Sequence, residues 1–414
     1  MRYDVIVVGG GPAGSTTARE CATRGLTVLL LDKAHFPRDK PCGGGVTVRA
    51  AHLLPFDLAP VTERVISGMH VTLHQAHGFT RYAPSPLTYL TQRSAFDAFL
   101  VEHALQAGTT LREGATVRGI ERFRSHAVVR VGSEVFEGRT VVAADGANGQ
   151  TARLAGLVVS RSLLVALEGN ITPVAGIPSF WEHMIGLDLG GYPGGYGWLF
   201  PKADHLNIGV GTTHHLGASL RERLNRLTRA YGFDPASQWG LRGHLLPIRR
   251  RNAPLADENI LLVGDAAGLL DPLSGEGIYG AIWSGQVAAT HLAAYLSGQT
   301  PDLRSYQREV EQTLVPELQI AHRWADLAHV TPAIAATMLH RAPGVWTRLC
   351  GLAQGTHTYR DLYQWLGPVS SVVDLASDLI RVSTLVQRWA DMRDSAPPER
   401  FFTRWAHHKP APPH

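Results

Sequence analysis

Three glycines near the start of the chain have the spacing of a pyrophosphate-binding turn. Gly9, Gly11 and Gly14 form G-x-G-x-x-G directly after an apolar run that ends at Val8. In a strand–turn–helix unit the first glycine permits the tight turn, the second lets backbone approach a pyrophosphate, and the third lets the helix pack on the strand. The free N–H groups and the dipole of that helix favour phosphate. Asp32 ends the next apolar run, close to the spacing of about 20 residues of a carboxylate that binds a ribose hydroxyl. The pattern therefore predicts a dinucleotide site.

Later segments favour FAD over a nicotinamide dinucleotide. Arg93 stands at the head of a predicted helix, where its guanidinium can reach the diphosphate or the flavin edge. Gly264 and Asp265 follow a buried apolar run, which places the carboxylate to accept hydrogen bonds from ribityl hydroxyls. The segment 271–277 then leads into a helix whose first N–H groups can stabilise negative charge on the N1–C2=O side of a reduced flavin. Together with the N-terminal glycines, these segments predict bound FAD.

The order of the motifs is similar to that of the p-hydroxybenzoate-hydroxylase-type flavoproteins. GGGPAG stands at 9–14, DG at 145–146 and GDAAG at 264–268. Within that group the chain resembles the geranylgeranyl reductase family, on two further motifs. One is PCGGG at 41–45, and the other is YGWLFPK at 196–202 followed by GVG at 209–211. The resemblance covers roughly residues 1–300, and the predicted C-terminal helices carry no motif that matches.

The resemblance implies FAD-dependent saturation of isoprenoid double bonds, in geranylgeranyl lipids, prenyl diphosphates, phytyl precursors or quinone side chains. It also implies a prenyl tunnel between a substrate-binding sheet and the flavin. An isolated trisubstituted alkene is not polarised, so hydride alone does not add to it. We therefore expect hydride from reduced flavin N5 at one carbon while an acid protonates the other, in a dry pocket that protects the developing cationic character.

The predicted site residues fall into three overlapping sets. We expect the cofactor to contact Gly9, Gly11, Pro12, Ala13, Gly14, Asp32, Lys33, Cys42, Gly43, Gly44, Arg93, Val117, Asp145, Gly146, Gly264, Asp265, Gly275, Gly277 and Ile278. The resemblance implies that the substrate contacts Gly44, Gly45, Tyr196, Trp198, Phe200, Pro201 and Lys202. The candidate catalytic residues are Cys42, Tyr196 and Trp198.

Several of these residues have a simpler interpretation beside the functional one. Cys42 either donates a proton or shapes the active conformation near the flavin, or it is only a small residue in a glycine loop. Tyr196 and Trp198 are two positions apart and share one face of a strand, where they line a lipid pocket or belong to the core. Lys202 meets a diphosphate head group or is solvated. The family match favours the pocket for the two aromatic residues and leaves Cys42 and Lys202 open.

Two other functions use the same cofactor motifs. An aromatic monooxygenase of this fold couples the consumption of oxygen to product formation, whereas in a reductase the reaction with oxygen yields no product. Oxygen consumption coupled to product therefore discriminates between them. A halogenase is disfavoured because Phe200-Pro201 stands where the halogenase motif ends in Ile-Pro. A flavin and prenyl-lipid carrier without turnover would bind both molecules without reoxidation of the flavin by the lipid. No second G-x-G-x-x-G directly follows an apolar strand-like run, since GEGIYG at 275–280 follows DPLS, so the electron donor is either NADPH bound without that fingerprint, or ferredoxin or another carrier protein.

Composition narrows the class of protein further. The 414 residues carry a net charge of +4 without any Lys/Arg run typical of a nucleic-acid patch. Cys21, Cys42 and Cys350 are odd in number and widely spaced, so they predict neither a disulfide framework nor a zinc site, and a reducing cytoplasm fits them best. The pairs His214-His215 and His407-His408 lack a third ligand at a motif spacing, and we expect surface histidines and no metal. Apolar runs are all shorter than the 18 or so residues of a spanning helix, so any membrane contact is peripheral.

The element pattern predicts an α/β fold, α+β overall, with a discontinuous Rossmann-like FAD-binding domain. We assign residues 1–66, 91–160 and 250–300 to that domain, with a helix over 95–105, strands over 109–118, 127–137 and 140–143, and a helix from Gly277 to about Leu296. An inserted antiparallel substrate-binding sheet comprises residues 67–90 and 161–249. Residues 301–393 are predicted as helices that Pro316, Pro332, Pro343 and Pro368 interrupt, and residues 394–414 as a loose tail. We expect Trp324, Trp346, Trp365 and Trp389 to lie mostly in the core, with a few at a membrane interface.

Overall fold

The computed structural model describes residues 2–76, 78–157, 161–192, 194–250 and 252–382. Within these residues the strands are β1 Arg2–Val8, β2 Val28–Leu31, β3 Gly45–Thr47, β4 Arg64–Ile66, β5 Gly68–Leu73, β6 Gly78–Tyr82, β7 Thr88–Leu90, β8 Thr110–Arg112, β9 Val117–Phe123, β10 His126–Val131, β11 Glu134–Ala143, β12 Arg161–Ile171, β13 Met184–Leu189, β14 Gly197–Pro201, β15 Leu206–Thr213, β16 Trp239–Arg249, β17 Ala256–Asp257 and β18 Ile260–Leu262. The helices are α1 Pro12–Thr23, α2 Val48–Ala51, α3 Arg93–Gln106, α4 Thr151–Leu154, α5 Leu220–Ala230, α6 Ile278–Leu296, α7 Arg304–Val330, α8 Pro332–Arg341, α9 Pro343–Gln354, α10 Tyr359–Leu366 and α11 Val369–Val382.

The first sheet positions the nucleotide-binding turns. Its strands lie in the order β17-β18-β11-β1-β2-β8, and the antiparallel β9–β10 hairpin pairs with β11. β18, β11, β1, β2 and β8 are parallel to one another, so their carboxyl ends meet at one edge. The central strands are continuous apolar runs because the sheet is buried on both faces, and Val5, Val7 and Leu30 have no exposed surface. The predicted discontinuous α/β architecture is confirmed by β18, which joins this sheet after an excursion of more than a hundred residues.

The second sheet has the order β16-β12-β15-β14-β13-β5-β6. One face packs on α5 through Leu220, Leu224 and Leu227, and the other face forms a wall of the main cavity. Neighbouring strands are antiparallel with one exception, the parallel pair β13–β5. These two strands come from separate chain segments, so no hairpin dictates their direction. A third, three-stranded sheet in the order β3-β7-β4 takes β7 out of the predicted substrate-sheet segment 67–90.

Three element boundaries predicted from the sequence are wrong. The single strand predicted over 109–118 is two strands, β8 and β9, separated by residues 113–116. The single strand predicted over 127–137 is a hairpin of β10 and β11 that turns at Gly132, whose φ is +57°. The predicted break at Pro316 does not occur, because α7 continues through it. An internal proline removes one hydrogen bond, and the burial of Val310, Leu314 and Ala321 along α7 compensates for that loss. Pro332 and Pro343 do open new helices, as predicted, at the first position where a missing N–H costs nothing.

Some predictions concern chain outside the described residues. The tail 394–414, the last part of the predicted helical region at 383–393, Trp389 and the pair His407-His408 belong there. Of the other tryptophans, Trp346 is buried, Trp324 is half-buried and Trp365 is 44% exposed. Across the described part of the chain, no helix combines the length and the apolar character needed to cross a membrane. In the same ranges no three His, Cys, Asp or Glu side chains come together in a way that could hold a metal ion.

Candidate active site

The N-terminal glycines leave an open approach to the first turn of α1. Gly9 has φ +104°, and a Cβ on Gly14 would stand 1.8 Å from the Gly9 carbonyl oxygen. These two glycines therefore shape the turn itself. A Cβ on Gly11 would meet only Arg38 Nη2, at 3.5 Å, so the space in front of α1 is open. Gly11 caps this helix without a side chain, and a phosphate can reach the N–H groups behind it.

Asp32 lies beside this turn at the carboxyl end of β2. Its Oδ2 accepts a hydrogen bond of 2.7 Å from the Gly10 N–H, and its Oδ1 accepts one of 2.9 Å from the Ala34 N–H. The guanidinium of Arg38 lies 3.6 Å from Oδ2. A carboxylate has about four lone-pair positions, so Asp32 can still accept a ribose hydroxyl. The next residue, Lys33, is exposed and lies at the same rim.

One cavity, of about 1040 Å³, begins at these residues and contains most of the predicted site. The predicted residues that line it are Gly9, Gly11, Pro12, Ala13, Asp32, Lys33, Cys42, Gly43, Gly44, Gly45, Arg93, Val117, Asp145, Gly146, Tyr196, Trp198, Phe200, Asp265, Gly275, Gly277 and Ile278. Gly14, Gly264, Pro201 and Lys202 do not line it. Gly14 and Gly264 instead allow close packing on either side of α1, since a Cβ on Gly264 would lie 2.8 Å from the Ala13 Cβ.

A buried carboxylate holds two guanidinium groups in the cavity wall. Asp97 accepts two hydrogen bonds from Arg93, of 2.9 and 2.8 Å, and Arg38 Nη1 lies 3.1 Å from Asp97 Oδ2. Burial alone would lower the pKa of Arg93, but Asp97, followed by Cys42, raises it above its ordinary value. Arg93 is therefore a permanent positive charge at the cavity wall, directed by Asp97 and close to Cys42.

Asp265 forms a second charged group with Lys40 and His244. Lys40 Nζ lies 3.5 Å from Asp265 Oδ2. Burial would raise the pKa of Asp265, but Lys40, His244 and Arg93 together lower it. Burial, assisted by Lys40, lowers the pKa of His244 to about 4, so its imidazole is neutral at physiological pH. The buried Nε2 of His244 has no hydrogen-bond partner within the described residues, and it lies in the cavity wall.

Glu168 and Lys202 hold the glycine loop, residues 41–45. The Cys42 N–H donates to Glu168 Oε1 at 2.7 Å, and Lys202 Nζ donates to the Gly43 and Thr91 carbonyls at 2.6 and 2.9 Å. Gly44 has φ +68°, and a Cβ there would lie 2.0 Å from the Thr91 carbonyl oxygen. Burial raises the pKa of Glu168 to about 7 and lowers that of Lys202 to about 8. Lys202 therefore lies beneath this loop, where it is closed off from the cavity.

Removing this lysine tests its function as a support of the loop. In Lys202→Met the two carbonyls lose their donor, and we expect the free energy of unfolding to fall by about 1–3 kcal/mol. The folded-state pKa near 8 lies below the ordinary 10.5, so the stabilisation by Lys202 is complete above pH 10.5 and decreases as the pH falls through 8. The difference in free energy of unfolding between wild type and variant, measured by urea unfolding, should therefore increase from pH 7 to pH 10. Arg226→Met, at an exposed helical cation, is the control, and equal losses in both variants would contradict the assignment.

The aromatic motif and the glycine motif that follows it are cross-strand partners. Trp198 of β14 pairs with Gly209 of β15, and a Cβ on Gly209 would lie 2.0 Å from the indole ring. The ring therefore lies across the β15 backbone, where only glycine leaves room for it. The indole Nε1 donates to Asn207 Oδ1 at 2.9 Å. Tyr196, 6.2 Å from Trp198 between ring centroids, donates its hydroxyl to the Ser274 carbonyl.

Ser274 belongs to the 271–277 loop, which a buried ion network attaches to the rest of the protein. Arg49 donates to Glu276 Oε2 at 2.6 Å and lies 3.3 Å from Asp271 Oδ2. Asp271 also accepts a hydrogen bond of 2.8 Å from the Tyr359 hydroxyl, which comes from the C-terminal helices. Burial would lower the pKa of Arg49, but Glu276 and Asp271 raise it well above its ordinary value. The loop before α6 is thus held from both α2 and α10.

The far end of the cavity is apolar and partly formed by the C-terminal helices. Strands β5 and β13 contribute Met69, Ile185, Leu187 and Leu189. Helices α7 to α10 contribute Trp324, Ala335, Met338, Leu339, Val345, Trp346, Leu349, Leu352, Leu362 and Leu366. The cavity thus has the second sheet as one wall and, as another, helices in which the sequence shows no motif. A smaller cavity of about 350 Å³ shares Tyr196, Leu273 and His329 with the large one.

The polar end fits FAD by the groups it presents. The open space at Gly11 faces a helix N-terminus, and Asp32 and Asp265 offer acceptors for ribose and ribityl hydroxyls. The buried His244 nitrogen has no partner among the residues that the structure describes. The first turn of α6 lies in the same wall through Gly277 and Ile278. Sequence reasoning missed Glu168, His244, Lys40 and Arg38. Only the rarity of a glutamate within the apolar run of β12 could have drawn attention to Glu168.

Comparisons with known proteins show the family of this chain. The family model of the FAD binding domain matches residues 2–315. The geranylgeranyl diphosphate reductase of Rhodobacter capsulatus is 34% identical over 323 residues, which cover 73% of this chain and 78% of that protein. The menaquinone reductase of Mycolicibacterium smegmatis is 33% identical over 315 residues, which cover 70% of this chain and 76% of that protein.

Solved structures show the same fold at lower identity. The crystal structure of a geranylgeranyl bacteriochlorophyll reductase-like protein from Thermoplasma acidophilum superposes with a TM-score of 0.70 at 22% identity, covering 94% of this chain and 99% of that one. A flavin-dependent brominase superposes with a TM-score of 0.71 at 21% identity, covering 86% of this chain and 94% of that one. At these identities the likeness concerns the fold alone.

Proposed function

Because the chain belongs to the geranylgeranyl-reductase-like FAD flavoproteins, we propose that this oxidoreductase saturates carbon–carbon double bonds of an isoprenoid chain. The substrate class comprises isoprenoid lipids, prenyl diphosphates and quinone side chains. NADPH or a ferredoxin-type protein supplies the electrons, and the lipid is taken up through contact with a membrane surface.

The observation that carries the proposal is the change of polarity along a single cavity. Its first part presents Asp32, Arg38, Lys40 and Asp265, which suit the phosphate and hydroxyl groups of a dinucleotide. Its second part is walled by aliphatic and aromatic side chains from the second sheet and the C-terminal helices. An extended hydrocarbon is the ligand that such an apolar extension accepts, because little else gains from burying so much apolar surface.

The protein residues bind the prenyl chain, exclude water and shape the cavity wall beside it. FAD, when bound, supplies the hydride that an unpolarised alkene needs at one carbon. Tyr196 and Trp198 hold the chain against the second sheet at the boundary between the polar and apolar parts. The apolar walls exclude water there. Cys42 shapes the cavity wall beside the substrate, in a loop that Lys202 and Glu168 keep in place.

The test uses purified protein under argon. We expect a yellow protein whose chemically reduced flavin is reoxidised by a geranylgeranyl substrate or a short menaquinone, while mass spectrometry shows the lipid gaining two hydrogens. Reoxidation by air with insertion of oxygen into an aromatic compound would favour a monooxygenase instead. Binding of FAD and prenyl lipid without any reoxidation would indicate a carrier without turnover.

A further inference from the structure

Glu168 differs from the other acidic groups around the cavity. Among the described residues, six carboxyl side chains line it: Asp32, Asp39, Asp145, Glu168, Asp265 and Glu276. Four of them have an arginine or lysine within 4 Å, and Asp145 accepts hydrogen bonds from two N–H groups and a hydroxyl. Within the described chain Glu168 has no ion pair and accepts the Cys42 N–H. It is therefore the cavity carboxyl with the least compensation for a negative charge.

The strand register places Glu168 beside the aromatic motif. Glu168 of β12 pairs with Gly209 of β15, and Gly209 pairs on its other side with Trp198. The three residues thus form one row across neighbouring strands. The backbones of Glu168 and Trp198 are about 10 Å apart in the direction perpendicular to the strands. The Trp198 ring lies across Gly209, which brings the indole over the interval between them. Asn207 accepts from that indole and also hydrogen-bonds to Glu168.

We propose that Glu168 is a catalytic acid of this enzyme, and that it delivers the proton to the substrate double bond. The inference rests on the proposed function. One alkene carbon receives the hydride, with its electron pair, from reduced FAD, and the other receives the proton from the Glu168 carboxyl. The alkene π bond, the carboxyl O–H bond and the bond that held the hydride on reduced FAD break, two C–H bonds form, and the flavin is oxidised by two electrons as the alkene is reduced. The carboxylate regains its proton from water at the cavity rim, where the exposed pair Asp39 and Arg242 lies.

The surroundings of Glu168 explain why it can hold a proton at neutral pH. Burial is the dominant cause that raises its pKa to about 7, opposed by the Cys42 N–H and by Lys202, while Asp39 raises it further. Arg242 is its cross-strand neighbour on β16. Because the folded-state pKa exceeds the ordinary 4.5, the stability due to the proton is complete below pH 4.5 and is lost as the pH rises through 7.

Glu168→Gln removes the proton and keeps an oxygen for the Cys42 N–H. In the holoenzyme we expect the single-turnover rate of prenyl reduction to fall at least about 100-fold, the lower range of general acid catalysis. The decline of the wild-type rate above pH 7 should vanish in the variant. Two readouts need no prenyl turnover: the infrared band of a protonated carboxyl at pH 6 should disappear, and the thermostability of the variant relative to wild type should rise between pH 4.5 and pH 7 and stay constant at higher pH. Glu121→Gln, an exposed strand glutamate, should match wild type throughout.

A positioning function for Glu168 predicts a different result. Cys42 reports on it, because Cys21 and Cys350 are buried and alkylation should mark Cys42 alone among the three thiols. Unchanged alkylation with a lost rate and a lost pH decline supports the acid. Changed alkylation, with the pH decline retained, overturns it in favour of loop positioning. If wild type reduces prenyl chains and Glu168→Gln does so at the same rate, the acid function of Glu168 is wrong and the proposed function stands. If wild type does not react with prenyl chains, both the proposed function and the acid function of Glu168 are wrong.

Discussion

Gly11→Ala should fold normally and bind FAD poorly, whereas Gly14→Ala should destabilise the folded protein itself. A Cβ on Gly11 meets only the tip of Arg38 at 3.5 Å, and its φ of −77° suits any residue. The methyl group then occupies the space that the pyrophosphate needs. With a charge-assisted hydrogen bond to phosphate worth about 1.5–3 kcal/mol, FAD affinity should fall roughly 10- to 100-fold. A Cβ on Gly14 would lie 1.8 Å from the Gly9 carbonyl oxygen, so the turn must open, at about 3 kcal/mol or more.

Apoprotein unfolding and flavin titration separate the two effects. The Gly11→Ala apoprotein should unfold at the same urea concentration as the wild-type apoprotein, and its fluorescence titration with FAD should shift to higher concentrations. The Gly14→Ala apoprotein should unfold at a lower urea concentration before any FAD is added. Equal destabilisation of the two apoproteins, or FAD binding by Gly11→Ala at wild-type affinity, would show that the phosphates do not approach this turn.

The nucleotide-binding half of the site was predictable because its chemistry depends on neighbouring residues. Gly9, Gly11 and Gly14 act within one turn, and Asp32 and Asp265 each follow a strand whose apolar run marks it as buried. Because each carboxylate directly follows its strand, its position at the carboxyl end of that strand can be predicted without the rest of the chain. In a parallel sheet the ends of such strands meet, and the structure brings Asp32 and Asp265 to one cavity.

The other half depends on strand register and on coverage by distant segments, which a local pattern does not contain. Alternation predicts that Tyr196 and Trp198 share one face, and the same period places Lys202 on that face too. The glycine loop covers that end of the face, so Lys202 bonds to the Gly43 carbonyl beneath it. Glu168 is a neighbour of the aromatic motif only through the strand register, which places Gly209 between Glu168 and Trp198. The C-terminal helices line the cavity with ordinary apolar residues, which in a sequence look the same as core residues.

Arg49→Met should lower the free energy of unfolding more than Lys202→Met or Arg112→Met does. Arg49, Asp271 and Glu276 side chains are only 15%, 4% and 7% exposed, so the substitution leaves two buried carboxylates without their cation. Removing one partner of such a buried pair costs about 3–5 kcal/mol. The Thr47 and Tyr359 hydroxyls still donate to these carboxylates, but they bring no charge. The 271–277 loop lines the cavity, and we expect FAD to dissociate faster once this loop is released.

Arg112→Met is the matched control, because the Arg112–Glu134 pair is 54% exposed on both sides and should contribute no more than about 1 kcal/mol. Urea unfolding of both holoproteins, followed by flavin fluorescence and by far-ultraviolet circular dichroism, compares the two losses. In Arg49→Met the flavin should leave at a lower urea concentration than the one that unfolds the helices. Because Tyr359 joins the C-terminal helices to Asp271, proteolysis of those helices should also become faster. A loss no larger than that of Arg112→Met would mean that water, and not Arg49, balances the charge of Asp271 and Glu276, and the loop would then owe its position to hydrogen bonds from Thr47, Tyr196 and Tyr359.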